Sequence, residues 1–217
     1  MSWTVVSLKK LFLTTGVLMG NKAEKENHQM PDIILSREDA LNLFIKYNKN
    51  ESLLRHALAV EAGMRHFAYL FGEDEEKWAL IGLVHDIDYE MYPDQHCIKA
   101  YEILNEYGWP DDYIHAVQSH GWKICTEVEP EHKMEKTLYA IDELTGLIAA
   151  TVYMRPDKSI EDLEVNSVKK KFKQKNFAAG VNRQVIEDGA SLLGMDLDLL
   201  IAETIKGMKK VAKDIGL

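Results

Sequence analysis

The sequence predicts an all-α protein, and two patterns support that fold class. After Pro31, apolar residues recur at steps of three and four along most of the chain, which places them on one face of a helix. No stretch alternates apolar and polar residues over more than a few positions, as a half-buried strand would. The 217 residues, 46% of them hydrophobic, are enough for one domain with a substantial core.

Start and stop signals divide the chain into successive helices. Ser36-Arg-Glu-Asp39 resembles a capping box and opens the first helix. Gly72 is expected to end the second helix, because glycine readily adopts the left-handed conformation that closes a helix. The helices after the first are predicted over about 51–71 and 74–86, from Pro93 to a stop at Gly108, over about 111–120 and 134–153, with two or three more in 159–213.

The N-terminal residues 1–30 are expected to be an extension, disordered or not native to the protein. Their apolar run, Leu11 to Met19, is shorter than the roughly 20 residues that a membrane-spanning helix needs. An export signal is the alternative, although no small-x-small cleavage site is present. Residues 31–217 are predicted to form a single all-α domain, with a core over about 50–155 and a C-terminal helical extension over 155–217.

Composition excludes several classes of protein. The formal charge of −9 argues against a general nucleic-acid binder and against a polybasic membrane binder. The two cysteines, Cys97 and Cys125, form neither a CxxC motif nor a disulfide framework, so a reducing, cytoplasmic location is expected.

Polar residues interrupt the apolar face of three predicted helices. His56 lies between Leu53 and Val60, His85-Asp86 ends an apolar run, and Asp142 lies in a strongly apolar helix. Each residue taken alone could be a hydrogen-bonded core residue. A buried carboxylate costs several kcal/mol unless it is paired or binds a metal. Together they favour a divalent metal site, because imidazole and carboxylate ligands from separate helices can converge inside a bundle.

The order His56, His85-Asp86, Asp142 resembles the HD-domain superfamily of metal-dependent phosphohydrolases. His85-Asp86-Ile87 is similar to the HDIG form of the signature, with Asp88 in place of its glycine. The resemblance implies an all-α helical bundle in which these four residues bind metal and Asp86 can bridge two ions. Toward the C-terminus the chain resembles a subgroup known only as predicted hydrolases.

Two further histidines, His96 and His120, fit a version of the site with two metals. Several HD branches supply extra histidines between the HD pair and the final aspartate. The alternative is that both face solvent or substrate. The mixed donor set suits one or two ions of Mn, Fe, Co, Ni or Zn better than Mg. The remaining histidines, His28, His66, His115 and His132, are expected at the surface.

A basic tract in the C-terminal third is predicted to bind substrate phosphate, because Lys and Arg give charge-assisted bonds to phosphate oxygens. The alternative for such a tract is a solvated face. The predicted phosphate-binding residues are Arg155, Lys158, Lys169, Lys170, Lys171, Lys173 and Arg183.

The function implied is metal-dependent phosphohydrolysis of a small phosphorylated molecule, a nucleotide being the favoured substrate. A divalent ion lowers the pKa of bound water from about 15.7 toward 7. Asp86 and Glu143 are the candidate catalytic residues, with Glu143 as a possible acid or base. Two alternatives stay open, a diiron oxygenase of the HD type and a non-catalytic sensor that binds nucleotide or metal.

Overall fold

The computed structural model describes residues 36–217, and the predicted N-terminal extension of residues 1–30 lies outside them. The described part confirms the all-α class, since it contains ten α-helices and no β-strand. None of these helices combines the length and the apolar character that a bilayer crossing requires. The helices are α1 (Arg37–Tyr47), α2 (Glu51–Phe71), α3 (Glu75–Val84), α4 (Ile98–Glu106), α5 (Asp111–Ser119), α6 (Lys133–Tyr153), α7 (Val165–Phe172), α8 (Arg183–Leu193), α9 (Leu197–Lys209) and α10 (Ala212–Ile215).

Capping side chains set several of the helix boundaries. The Ser36 hydroxyl accepts the backbone N–H of Asp39 at 3.0 Å and starts α1. The Asp74 carboxylate accepts two backbone N–H groups of α3, each at 3.0 Å. Gly72 closes α2 with a φ of 70°, in the left-handed region that glycine enters without strain. These local signals explain why the start of α1 and the end of α2 could be predicted.

The predicted start of the fourth helix at Pro93 is wrong. Pro93–Gln95 form a single 3-10 turn, and α4 begins only at Ile98. Cys97 separates the two with a φ of 67°, a left-handed conformation that cannot continue a right-handed helix. The region after residue 159 holds four helices, one more than predicted, because the chain adds the short α10.

The long helices α2 and α6, of 21 residues each, form the centre of the bundle. Helix α2 packs against α3, α6 and α9, and α6 packs against α8 as well. Met64 and Phe67 on α2 are fully buried, as are Leu138 and Leu144 on α6. Burying an apolar side chain of this size contributes about 1.5–3 kcal/mol. The backbones of α2 and α6 are therefore firmly placed, and so are the polar side chains that they carry.

Close helix contacts depend on glycines. A Cβ on Gly189 of α8 would lie 2.5 Å from the Cα of Ala140 on α6. A Cβ on Gly207 of α9 would lie 3.0 Å from the Ala62 carbonyl oxygen on α2. Helices α8 and α9 thus approach the two central helices more closely than any larger residue would allow.

Candidate metal centre

The six predicted metal ligands lie together in the structure. They come from five parts of the chain and meet where α2, α3, α5 and α6 face one another. Asp86 is almost fully buried and His85 is completely buried. A cavity of about 640 Å³ opens onto every side chain of the cluster except His85. The cluster consists of His56 on α2, His85 and Asp86 just after α3, His96 just before α4, His120 just after α5, and Asp142 on α6.

Four donor atoms form a first group around Asp142. Its Oδ1 lies 2.9 Å from His56 Nε2 and 3.3 Å from His85 Nε2. Asp86 Oδ2 lies 3.4 Å from His85 Nε2 and 3.7 Å from His56 Nε2. Ligands around a tetrahedral ion with bonds near 2.1 Å lie roughly 3.4 Å apart. The first group therefore has the spacing of one metal position.

Three donor atoms form a second group beside the first. His96 Nε2 and His120 Nε2 face each other at 3.1 Å, and each lies 3.5 Å from Asp86 Oδ1. Asp86 thus turns one oxygen to each group, as a carboxylate that bridges two ions does. This arrangement matches the bridging role implied for Asp86 by the resemblance.

Backbone carbonyls fix the ring orientation of two of the histidines. His85 Nδ1 donates to the Gly82 carbonyl at 2.8 Å, and His120 Nδ1 donates to the Val117 carbonyl. Each Nε2 is therefore left with its lone pair directed at the cluster. His85 Nε2 is buried, and although two carboxylate oxygens lie 3.3 and 3.4 Å away, it makes no hydrogen bond of good geometry. A buried, unpartnered nitrogen is costly, and a metal ion is the natural occupant of the position it faces.

Side chains hold the other two histidines. The Thr145 hydroxyl donates to the Asp142 carbonyl at 2.8 Å, so it accepts from His56 Nδ1 at 3.3 Å. His96 Nδ1 donates to Asp88 Oδ1 at 2.8 Å. All four rings thus direct Nε2 inward, and the donor set fits a divalent transition metal. Sequence reasoning missed the roles of Thr145 and Asp88; the departure from glycine at position 88 was the available signal.

The ionisable side chains of the cluster shift one another's pKa values. Burial opposes ionisation of Asp86 and Asp142, but the adjacent histidines outweigh burial and hold both carboxyl pKa values well below their usual range. Burial likewise lowers the pKa of His85, and the two carboxylates outweigh it, so that pKa lies well above its ordinary value. The pocket therefore strongly favours compensating positive charge near its two carboxylates, as protons or as metal ions.

Glu143 lines the same cavity as the cluster. Burial and the neighbouring Asp142 carboxylate raise the pKa of Glu143 to about 7. The structure thus places this candidate catalytic carboxyl group in the same cavity as the predicted metal ligands.

The seven basic residues of the predicted phosphate-binding tract line no part of this cavity. Arg155 pairs with Asp157, and Lys169 pairs with Asp198. Arg183 donates to the backbone carbonyls of the segment 173–182 and to that of Phe172. The structure does not bring the tract to the cluster, and its phosphate-binding role stays a prediction.

Arg55 is the one lysine or arginine among the described residues that lines the cavity. Its side chain is about half exposed and pairs with Glu51 at 3.1 Å. Tyr89 and Tyr153 line the cavity as well. Sequence reasoning missed Arg55, and its position directly before His56 was the only signal for it.

The other histidines only partly follow expectation. His66 is buried and its Nε2 lies 2.8 Å from the Glu203 carboxylate, so its predicted surface position is wrong. This pair joins α2 to α9, away from the cluster. His115 is half-buried against Glu135, and His28 lies outside the described residues.

The two cysteines meet at the edge of the cluster. Cys97 Sγ and Cys125 Sγ share a hydrogen bond of 3.4 Å, with Cys97 buried and Cys125 exposed. That bond lowers the pKa of Cys125 to about 6 and, with burial, raises the pKa of Cys97. Sequence spacing gave no indication of this contact, because 27 residues separate the two positions.

The fold and the cluster define an all-α protein with a histidine–aspartate site that could hold divalent metal. The family model of the HD domain matches residues 53–158, a range that contains all six cluster residues. Over these residues the chain matches the HD-domain family, whose members are generally metal-dependent hydrolases. No curated protein and no solved structure matches the chain.

Proposed function

We propose that this protein is a metal-dependent phosphohydrolase that acts on a small phosphorylated molecule. The observation that carries the proposal is the position of Asp86, whose two oxygens face two groups of histidine nitrogens at the floor of a cavity. When bound there, divalent ions lower the pKa of a coordinated water toward neutrality and stabilise charge that develops on phosphoryl oxygens.

The chain's own residues supply orientation and proton transfer. Thr145 and Asp88 hold His56 and His96 in the ring orientation that directs Nε2 to the cluster. Glu143 lines the cavity and is the candidate acid that delivers a proton to the leaving oxygen.

The cavity favours a small substrate with a single phosphate near the metals. Its volume of about 640 Å³ suits a molecule of nucleotide size. Arg55 offers one guanidinium for a phosphate oxygen, and a longer polyphosphate would find no second Lys or Arg on the walls formed by residues 36–217. Tyr89 and Tyr153 offer aromatic faces against which a base or another flat group could stack.

Replacing the bridging carboxylate tests the function. Asp86→Ala should lose bound metal and hydrolytic activity together, because both groups of histidines lose the carboxylate that they share. The measurement is metal analysis of protein purified without chelator, followed by a hydrolysis screen over mono-, di- and dinucleotides with Mn, Co, Ni and Mg, read by released phosphate and by chromatography of the nucleotide products.

Asp94→Ala is the matched control, since Asp94 is an exposed carboxylate in the 3-10 turn before His96. It should keep both metal and activity. An Asp86→Ala protein that stays active would refute the site assignment. Oxygen consumption by iron-loaded wild-type protein, without phosphate release from any substrate, would instead favour the oxygenase chemistry.

A further inference from the structure

The two groups of the cluster are unequal in donor number. The first group offers four protein donor atoms, from His56, His85, Asp142 and Asp86. Within residues 36–217 the second group offers His96 Nε2 and His120 Nε2, and it shares Asp86 through Oδ1. A divalent ion at the second position would therefore lack both a fourth donor and a negative charge of its own.

Cys97 lies beside the two histidines of the second group. A ring nitrogen of His96, a ring nitrogen of His120 and Cys97 Sγ all lie within 4.8 Å of one another. Sulfur and nitrogen ligands of a tetrahedral ion lie roughly 3.5 Å apart when the metal–sulfur bond is about 2.3 Å. The side chain of Cys97 is completely buried, so its sulfur faces the protein interior and not solvent.

The chain is built locally to hold this sulfur in place. Cys97 adopts a φ of 67°, which is strained for a residue with a side chain. Gly121, directly after His120, makes room: a Cβ there would lie 2.7 Å from Cys97 Sγ and 2.5 Å from Cys125 Sγ. Cys125 Sγ contacts Cys97 Sγ from the exposed side.

We propose that the Cys97 thiolate is a ligand of the second metal position, beside His96, His120 and the shared Asp86 oxygen. The thiolate supplies the fourth donor of the second position and adds a negative charge to the one shared through Asp86. Soft thiolate ligands favour Zn²⁺ and Co²⁺ over Mn²⁺ and Mg²⁺, so the second position is selective for thiophilic ions. The inference rests on the proposed function only in taking the cluster as a metal centre.

Cobalt provides the test, because a Co²⁺–thiolate bond gives a near-ultraviolet charge-transfer band that nitrogen and oxygen ligands do not give. The full chain is titrated with Co²⁺ while its absorption is recorded. Wild-type protein should develop this band, in addition to the visible bands of bound cobalt. Cys97→Ser should lose the charge-transfer band and keep the visible bands of the first position.

Cys125→Ser is the matched control and should keep the charge-transfer band, because Cys125 Sγ contacts Cys97 Sγ from the exposed side. For Zn²⁺, Cys97→Ser should weaken binding at the second position by at least about tenfold, the smaller effect found when even an outer partner of a metal ligand is lost. A charge-transfer band that survives Cys97→Ser would overturn the proposal.

A measurement on wild-type protein keeps the test decisive if Cys97→Ser does not fold. X-ray absorption of the zinc-loaded chain should show a sulfur neighbour at about 2.3 Å, and a shell of nitrogen and oxygen alone would overturn the proposal. The two levels of failure are distinct. Cobalt that binds without any sulfur signal overturns only the thiolate ligand, whereas wild-type protein that binds no cobalt or zinc overturns the metal centre as well.

Discussion

Asp88 shows how a single buried carboxylate can connect a metal ligand to the start of a helix. Its Oδ1 accepts from His96 Nδ1, and its Oδ2 accepts the backbone N–H of Ala100 in the first turn of α4 at 2.8 Å. The side chain is fully buried. Both oxygens are therefore committed, and the orientation of His96 depends on them.

Asp88→Asn should weaken metal binding at the second position by about 10–100-fold, the usual cost of losing an outer partner of a ligand. An asparagine has one acceptor oxygen, so it cannot serve both N–H groups. Calorimetric titration of metal into the protein would measure the change. Asp74→Asn is the control, because it makes the same substitution at the start of α3, where no metal ligand is attached; equal binding in both variants would contradict the role given to Asp88.

Arg55→Ala should raise KM for a phosphorylated substrate by about tenfold, because a hydrogen bond to a charged group is worth about 1.5–3 kcal/mol and Arg55 is half exposed. Steady-state kinetics on the best substrate from the screen would show it. Arg65→Ala is a matched control on the same helix, since Arg65 also pairs with a glutamate, Glu76, but does not line the cavity. The same rise in KM in both variants would argue against phosphate contact.

At the scale of single residues, the sequence predicted which residues meet in the cluster better than it predicted their hydrogen-bond partners. His56 and Asp142 were recognisable because a polar group on an apolar helix face needs an explanation. Asp88 and Cys97 stood out less, since the side chains that they contact, His96 and Cys125, meet them only in the fold.

At the scale of helices, close packing requires glycine at position 189, whereas Gly146 has room for a side chain. Gly189→Ala should destabilise the protein by about 1–3 kcal/mol, because the new methyl would press on the backbone of α6 at Ala140. Gly146→Ala, inside α6, should be neutral or stabilise by up to about 1 kcal/mol, because the nearest atom is 4.0 Å away and alanine favours helix. Urea unfolding of both variants measures the difference, and equal stabilities would contradict the close contact of α6 with α8.

Helix boundaries were predictable where the signal is local. Ser36 and Gly72 act through their own backbone neighbours, so the start of α1 and the end of α2 could be predicted from the sequence. The start of α4 could not, because Pro93 is equally compatible with the 3-10 turn that it forms. The sulfur of Cys97, the residue whose positive φ delays α4, packs against Cys125 and Gly121, and both of these follow Cys97 by more than twenty residues.

At the scale of the whole molecule, metal should stabilise the fold, because its ligands come from five parts of the chain. Binding to the folded state alone contributes about 2.7 kcal/mol at a metal concentration 100 times Kd. For a domain of this size that corresponds to a rise in Tm of roughly 5–10 °C. Thermal unfolding with chelator and with Zn²⁺ or Mn²⁺ measures it. Asp86→Ala should show no shift, and a wild-type Tm that ignores both chelator and metal would contradict a centre that links these elements.

The sequence predicted only part of how distant segments of the chain come together. The order of ligands along the chain predicted one converging site, since buried charges need a common partner. The basic tract suggested a phosphate-binding site, but a run of basic residues does not show which way their side chains point. Lys169 turns to Asp198, and Arg183 turns to the backbone, so neither side chain faces the cavity.

The bonds of Arg183 have a consequence for the order of events in synthesis. The segment 173–182 lies outside the helices. Several of its backbone carbonyls accept hydrogen bonds from the guanidinium of Arg183, which follows the segment in the chain. On the ribosome this segment emerges before the residue that shapes it. The final path of the segment therefore depends on a residue that is synthesised after it, so the segment cannot settle before the start of α8 has emerged.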